Sequence, residues 1–318
     1  MTNKYKVPPQ IKVRVKSANE IGNGKKAFLS RRTAGDVIFD TVNFIIMIVF
    51  TITMLYPLLN TVAVSFNDGT DALRGGIHLW PRMFTFDNYK AVLRRDLMPS
   101  AAKISVLRTV IGTALMVFVS SLAGYLVTKK EMWHRQFWYR FLVVTMYFNA
   151  GLIPWYLNMS MLGLTDTFAA YIIPGIVSPY NIILVKTYIE SIPAEIEESA
   201  FMDGASYWTI YRKIIWPLSK PILATIAIFG AVGHWNSFQD SLILNANSPA
   251  LYTLQHRLYI YLNQSSNLGA MVASGTSSSD ASALASSFNT KILQYTISMV
   301  SLSPMLCVYP FMLRYFEK

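Results

Sequence analysis

Residues 197 to 217 read EESAFMDGASYWTIYRKIIWP and place charged side chains between two long apolar runs. Ser191 upstream is a suitable helix N-cap, and Pro193 suits the first turn that would follow it. Acidic residues are favourable near the start of a helix, and three follow at Glu195, Glu197 and Glu198. The sequence therefore predicts a helix that begins after Ser191.

Gly204 divides this stretch into two short helical pieces. Apolar residues follow each other at steps of three and four on either side of it, namely Ile196, Ala200, Tyr207, Tyr211, Ile214 and Leu218. Glycine permits a sharp bend or a positive φ, and it lets another surface approach closely. The prediction is a helix–turn–helix lying on the membrane face.

The rest of the chain has the composition of a membrane protein. Of 318 residues 53% are hydrophobic and 14% charged, and the mean hydropathy is +0.35. A spanning helix needs about 20 apolar residues. Six runs of about that length predict an all-α integral membrane protein with six transmembrane helices: Phe44–Val64, Thr109–Thr128, Phe141–Thr165, Thr167–Val185, Pro221–Gln239 and Ile292–Leu313.

Basic residues flank the apolar runs, so the net charge of +11 does not indicate a nucleic-acid partner. Nine Lys or Arg residues lie between Lys4 and Arg32, and a second cluster comprises Lys129, Lys130, Arg135 and Arg140. Because basic segments stay inside, both termini are predicted to be cytoplasmic. Residues 1–35 are predicted to be a basic arm near membrane lipid, and residues 36–318 the transmembrane domain. Its extracytoplasmic loops would be at about 67–101 and 245–290, and its main cytoplasmic loop at about 190–217.

Residue patterns for catalysis are missing from the sequence. His78, His134, His234 and His256 are isolated from other metal-binding residue types, and no glycine-rich phosphate loop occurs. We therefore expect no catalytic residue, no metal site and no cofactor bound by this chain.

The spacing in the opening stretch matches a known signature. Glu198-Ser199-Ala200 is followed after three residues by Gly204, and after nine more by Ile214-Ile215-Trp216-Pro217. This resembles the cytoplasmic signature of ABC importer permeases, which runs E-A-A, three residues, G, nine residues, I-x-L-P. Ser199 and Trp216 depart from that pattern, at positions that pack against a partner.

The resemblance extends over most of the chain. Five segments look like the carbohydrate-importer permeases of the maltose-permease type, closest to an LplC/YtcP-like branch. They are Trp80-Pro81 and residues 86–89, 151–154, 162–167 and 231–238. The resemblance implies a type I ABC importer permease fold in a bacterial cell membrane, with a coupling helix between spans four and five. It also implies a second permease, two copies of a cytoplasmic ATPase that use ATP and Mg, an extracytoplasmic solute-binding protein and a carbohydrate substrate.

Two sets of site residues follow from this resemblance and from side-chain chemistry. The residues expected to couple to the ATPase are Glu198, Ser199, Ala200, Asp203, Gly204, Ile214 and Pro217. The residues expected to line a sugar path are Asn149, Trp155, Tyr156, Trp235, Asn236, Gln239 and Asp240, because amides bond to hydroxyls and sugar rings lie on aromatic faces. Trp235 with Gln239, and Asn236 with Asp240, are four residues apart and would share helix faces.

Alternatives remain open for each feature. The coupling stretch could be a solvated amphipathic helix, and the polar groups near residue 236 could bond between helices or belong to an aromatic belt. The serine-rich outer loop could be a linker or a docking site for the solute-binding protein. The alternative functions are a stand-alone secondary transporter or channel, which would call for inverted repeats and intramembrane charge pairs, and a membrane-embedded enzyme.

Overall fold

The computed structural model describes residues 34–72, 76–94, 97–273 and 292–307, without the side chains of Ala34, Thr70 and residues 264–273. These ranges are helical and contain no strand beyond an isolated bridge between Asn67 and Phe84. The chain divides into two compact units, residues 1–59 and residues 60–318. The all-α prediction is confirmed. Residues 1–33, 274–291 and 308–318, which hold most of the predicted basic arm and the serine-rich segment, lie outside the described ranges.

Two helices are long and apolar enough to cross a membrane by themselves. The first, α1, covers Ala34–Ser65, and it is followed by the short helices α2 (Gly69–Ala72) and α3 (Asp87–Arg94). The second, α4, covers Met98–Thr128. The predicted start of this span at Thr109 is wrong by eleven residues, because the helix continues through Arg108, whose charge has an acidic partner within the fold. Residues 98–101, assigned from the sequence to a loop, are therefore helical.

The third predicted span is not continuous. Helix α5 covers Arg135–Tyr147 and helix α6 covers Leu152–Met161. Phe148 between them is extended, and Gly151 has a φ of +86°, a conformation that L side chains rarely adopt. The prediction of one helix over Phe141–Thr165 is therefore wrong.

The fourth predicted span is bent, and a sharper bend precedes the fifth. Phe168–Gly175 forms 3₁₀ turns and meets α7 (Pro179–Glu190) at 44°. Because the residue before a proline is disfavoured in helical geometry, Ser178 is extended and the helix begins at Pro179. Helix α9 (Tyr207–Leu218), which contains a π-helical turn over Tyr211–Ile215, meets α10 (Lys220–Asn236) at 77°.

The remaining helices are α8 (Ala194–Met202), α11 (Gln239–Leu244), α12 (Leu254–Ala273) and α13 (Ile292–Cys307). By length and composition, the described ranges hold two spanning helices, or up to four if each bent pair is one span. The six-span count therefore stays a prediction.

Helix α4 is the central element of the second unit, because it packs against both α7 and α10. Glycines allow these helices to approach closely: a Cβ added at Gly124 would lie 2.9 Å from Val185 Cγ1, and one at Gly230 would lie 2.5 Å from Met116 Cε. Such contacts between small and large residues are typical of helix packing in membranes.

The segment between α1 and α4 is ordered by a buried asparagine. Asn67 accepts from the Met83 amide at 2.9 Å through its side-chain oxygen, and its Nδ2 donates to Asp71 at 3.0 Å. The side-chain Nδ2 of Asn88 donates to the backbone carbonyl of Asn67 at 2.7 Å. Phe66 stacks on Phe84 beside this network, with ring centroids 5.4 Å apart. The segment predicted as a loop thus contains the short helix α3.

Candidate functional site

A cavity of about 810 Å³ lies where α4, α6, α10 and α11 meet the broken segment 168–179. Residues at three helix breaks line this space, namely Gly151, Ser178 and Ser237. Of the residues predicted to line a sugar path, Asn149, Trp155, Gln239 and Asp240 do line the cavity.

The other three predicted path residues do not line the cavity. Trp235 is only 7% exposed, and its indole Nε1 donates to the Ser301 carbonyl at 2.9 Å. Asn236 and Tyr156 are exposed, but they lie outside the lining of the cavity. The expected pairing of residues four apart is wrong as well. Helix α10 ends at Asn236, and an extended Ser237 separates it from Gln239, so these residues do not share a helix face.

A buried ion pair lies in the wall of the cavity. Arg108 of α4 contacts Asp240 of α11, with the two side chains 3% and 17% exposed. Arg108 Nη1 also donates to the Ser237 carbonyl at 2.9 Å, and its guanidinium lies 4.8 Å from the centre of the Tyr171 ring. The amide of Ser241 donates to Asp240 at 2.9 Å. Helix α11 is thereby held to α4, about one third of the way along that helix.

A chain of polar contacts continues behind this pair. Ser241 Oγ lies 2.9 Å from both the Tyr171 hydroxyl and His256 Nδ1, and the Tyr171 hydroxyl donates to the Leu251 carbonyl at 2.7 Å. His256 is only 2% exposed. Burial, and secondarily Arg257, lower the pKa of His256 to about 4, against a smaller opposing effect of Asp240. The imidazole is therefore neutral at pH 7.

The ring of His234 lies at the cavity between two glycines. A Cβ added at Gly112 would be 2.6 Å from His234 Nε2, and one added at Gly175 would be 3.2 Å from Cε1. Any larger residue at Gly112 must displace the imidazole, so this glycine lets a polar ring reach the cavity.

The opening stretch forms the predicted hairpin, with one correction at its start. Ser191 caps the end of α7, where its hydroxyl donates to the Tyr188 carbonyl at 2.6 Å, and helix α8 begins after Pro193 instead. Gly204 has a φ of +79°. The Gly204 amide donates to Phe201 at 2.9 Å and the Ala205 amide to Ala200 at 3.0 Å, which is a Schellman ending. The glycine break is therefore confirmed.

The predicted coupling residues divide between two faces of the hairpin. Glu198, Ser199, Asp203, Gly204 and Pro217 are exposed. Ala200 is only 8% exposed and packs in the core with Ile210 and Tyr211, so the expectation that it faces a partner is wrong. Ile214 is half-buried against the same core.

The predicted apolar stripe also shifts along α9. Ile210, Tyr211 and Ile215 are buried, whereas Tyr207 and Leu218 are each 43% exposed. The turn over Tyr211–Ile215 is π-helical, so it contains one residue more than an α-helical turn. Positions spaced three and four residues apart therefore do not all lie on the buried face.

The hairpin is fastened to the end of α4 by a second ion pair. Glu197 contacts Lys129, with side chains 20% and 13% exposed, and accepts from the Tyr125 hydroxyl at 3.0 Å. Lys129 Nζ also lies 4.3 Å from the centre of the Tyr125 ring. The Tyr211 hydroxyl of α9 donates to Ser121 Oγ at 3.1 Å. Both arms of the hairpin are thus bonded to one helix.

Sequence reasoning missed Arg108, Lys129 and Glu197 as parts of these sites. The sequence did contain a signal for Arg108, because a charged residue beside a long apolar run usually faces the interior of a helix bundle and pairs with another group. Lys129 and Glu197 are 68 residues apart and occur among several other charges, so nothing in the sequence distinguishes this pair.

Known proteins similar to this chain are transport permeases. The polygalacturonan/rhamnogalacturonan transport system permease protein YtcP of Bacillus subtilis is 32% identical over 282 residues, which cover 88% of this chain and 96% of YtcP. Protein LplC of the same organism is 32% identical over 281 residues, covering 88% of this chain and 92% of LplC.

A solved structure agrees with these relatives. A chain in the crystal structure of a bacterial ABC transporter involved in the import of the acidic polysaccharide alginate matches with a TM-score of 0.78 and 30% identity, covering 90% of this chain and 99% of that one. Residues 26–303 match the family model described as the binding-protein-dependent transport system inner membrane component. This protein is therefore a membrane permease that belongs to the family of inner membrane components of binding-protein-dependent transport systems.

Proposed function

We propose that this chain is one permease subunit of an ATP-driven importer that carries an oligosaccharide across the bacterial cell membrane. The observation that carries the proposal is the cavity beside α4, which combines the amides of Asn149 and Gln239 with the indole of Trp155. Amide groups bond to sugar hydroxyls, and an aromatic face accommodates a sugar ring. The relatives' names, with polygalacturonan, rhamnogalacturonan and alginate among their substrates, support a carbohydrate cargo.

The second part of the proposal concerns energy coupling. The exposed face of the hairpin, formed by Glu198, Ser199, Asp203 and Gly204, would dock on a cytoplasmic ATPase that binds ATP and Mg. Two copies of that ATPase, a second permease and an extracytoplasmic solute-binding protein would complete the importer. Both termini would lie in the cytoplasm. Movement of the docked hairpin would pass to α4 through the Lys129–Glu197 pair, and along α4 to Arg108 at the cavity.

Reconstitution of the complete importer tests this proposal. Proteoliposomes that contain the chain, its partner permease, the ATPase and the binding protein should take up a labelled oligosaccharide only with hydrolysable ATP. A panel of neutral and acidic oligosaccharides identifies the cargo. Uptake by liposomes that contain this chain alone, unchanged by ATP, would instead indicate a stand-alone transporter.

A further inference from the structure

We propose that the basic concavity between the end of α4 and the start of α5 binds the phosphate headgroup of an anionic phospholipid. The proposal is independent of the solute that the protein carries, because it concerns a surface away from the transport cavity. The concavity, of about 640 Å³, is lined by Lys130, Met132, His134, Arg135, Gln136, Phe137 and Arg140. We call it the basic basin.

The charges of the basic basin are of one sign. Three cationic side chains line it, Lys130, Arg135 and Arg140, and no carboxylate is among its lining residues. Glu131 is the nearest acid in the sequence, but its carboxylate interacts with Tyr207. Lys129 is directed away as well, into its pair with Glu197. The local segment thus commits Lys129 to the fold and arranges three cations around an open space, where Arg135 is positioned by donating to the Thr128 carbonyl at 3.3 Å.

The position of the basin suits a lipid headgroup. Helix α4 has the length and composition of a membrane span and ends at Thr128, so Lys130 follows the end of a spanning helix by two residues. Basic pockets at the ends of spanning helices bind anionic headgroups. The orientation predicted from the basic clusters places the basin on the cytoplasmic side, where the anionic lipids lie.

Exposed aromatic side chains lie beside the basin, just before α5 and along it. Trp133 is 74% exposed, Phe137 60% and Phe141 50%, and the rings of Phe137 and Phe141 stack with centroids 6.4 Å apart. Aromatic side chains are enriched at the depth of the headgroups. Cations beside exposed aromatic rings match a molecule with a phosphate and acyl chains better than they match the acidic surface of a protein, which would leave these rings in water.

Native mass spectrometry of the full-length chain in a non-ionic detergent tests the inference. The probes are phosphatidylglycerol, zwitterionic phosphatidylcholine and inorganic phosphate. We expect retention of phosphatidylglycerol over phosphatidylcholine, and loss of roughly fivefold in its affinity for each cation removed, since one basic side chain near an anionic surface contributes about that factor.

The variants are Arg140→Gln alone and the triple variant Lys130→Gln, Arg135→Gln, Arg140→Gln. The matched control is Arg212→Gln with Lys213→Gln, which removes two exposed cations from α9. Arg140 is exposed, so its single substitution reports on binding even if the triple variant does not fold.

Three results would overturn the inference. Equal losses in the control would show that only the overall charge matters. Displacement of the lipid by millimolar inorganic phosphate would show a site for free phosphate. Unchanged retention of phosphatidylglycerol in the triple variant would show that these three cations do not hold the headgroup.

Discussion

At the residue scale, two positions carry the strongest physical constraints. Gly204 combines a left-handed φ with an exposed position, and a Cβ built there meets nothing within 4 Å. The free-energy cost of a substitution at Gly204 therefore comes from backbone strain and from contact with a partner that docks there. Arg108 is the opposite case, since its side chain is buried and its partner Asp240 lies 132 residues away in sequence.

Replacing Gly204 by valine should abolish uptake while the protein remains in the membrane. A β-branched residue at positive φ costs about 1–2 kcal/mol, which reshapes the hairpin without emptying the core. Gly163→Val is the matched control, because Gly163 has a φ of +67° and equally open surroundings. Uptake by reconstituted complexes and membrane levels of each variant provide the measurement. Equal loss of uptake in both variants would contradict a docking role for Gly204.

Replacing Arg108 by methionine should destabilise the protein by about 3–5 kcal/mol, because Asp240 would be left buried without its cation. The double variant Arg108→Met, Asp240→Leu should recover much of that loss, since no unpaired charge remains. Thermal unfolding in detergent measures both.

Lys186→Met serves as the control for the Arg108 variant. It breaks the 2.8 Å pair with Glu190, whose side chain is 40% exposed, and should cost at most about 1 kcal/mol. If Arg108→Met unfolds at the same temperature as this control, the buried pair does not hold α11.

At the scale of elements, α4 connects the two candidate sites. Its end is bonded to both arms of the hairpin through Tyr125, Lys129 and Ser121, and Arg108 lies twenty residues before Thr128. At 1.5 Å per residue this separation is about 30 Å. A helix of this length is stiff, so it can carry a displacement from the hairpin to the cavity.

Glu197→Gln should weaken the coupling of ATP hydrolysis to uptake. The substitution removes a hydrogen-bonded charge worth about 2 kcal/mol, and the hairpin would then move without α4. The number of ATP molecules hydrolysed per oligosaccharide imported should rise. The swapped variant Glu197→Lys, Lys129→Glu should restore part of the coupling.

Glu195→Gln provides the comparison within the same first turn, since Glu195 is exposed. It should leave the ratio of hydrolysis to uptake unchanged. An unchanged ratio in Glu197→Gln would show that the ion pair does not transmit the movement.

At the scale of the whole molecule, the second unit is joined by polar contacts between distant segments. Ser241, Tyr171 and His256 belong to three segments separated by 15 to 85 positions in the chain, and they meet at hydrogen-bonding distance. The Leu254 amide donates to Ser105 of α4 at 2.8 Å beside them. These contacts close the wall behind the cavity.

Stability should therefore fall as the pH drops from about 6.5 towards 4. The folded pKa of His256 is about 4, below the ordinary value of 6.5, so the unfolded chain binds a proton in this interval that the folded chain does not. The stabilisation is present above pH 6.5 and should decrease by about 2–3 kcal/mol across the interval.

Unfolding temperatures at several pH values, compared with those of His256→Gln, isolate this contribution from the titration of carboxylates. His78→Gln removes an exposed histidine and should keep the pH dependence of the unaltered protein. A parallel pH profile in His256→Gln would refute the role of His256.

The features that depend on neighbouring residues in the chain were predictable from the sequence. The hairpin around Gly204 follows from glycine's backbone freedom and a short apolar period, and four of the seven predicted path residues line the cavity. Pro154, Pro174 and Pro179 predict kinks in the third and fourth spans, and the chain does bend before Pro179, but the sequence does not place a full break at Gly151 or Ser178. Prolines are tolerated within membrane helices, so the sequence does not say which of them ends a helix.

By itself, the sequence determined that this protein is a helical membrane protein with a hairpin divided at Gly204, because hydropathy and glycine geometry act over a few neighbouring residues. Only the tertiary structure decided which charges pair and which polar groups share a cavity. Arg108 meets Asp240 and Lys129 meets Glu197 across 132 and 68 positions in the chain. The physical reason is that burial makes an unpaired charge costly, while the choice among possible partners depends on how α4 packs against its neighbours.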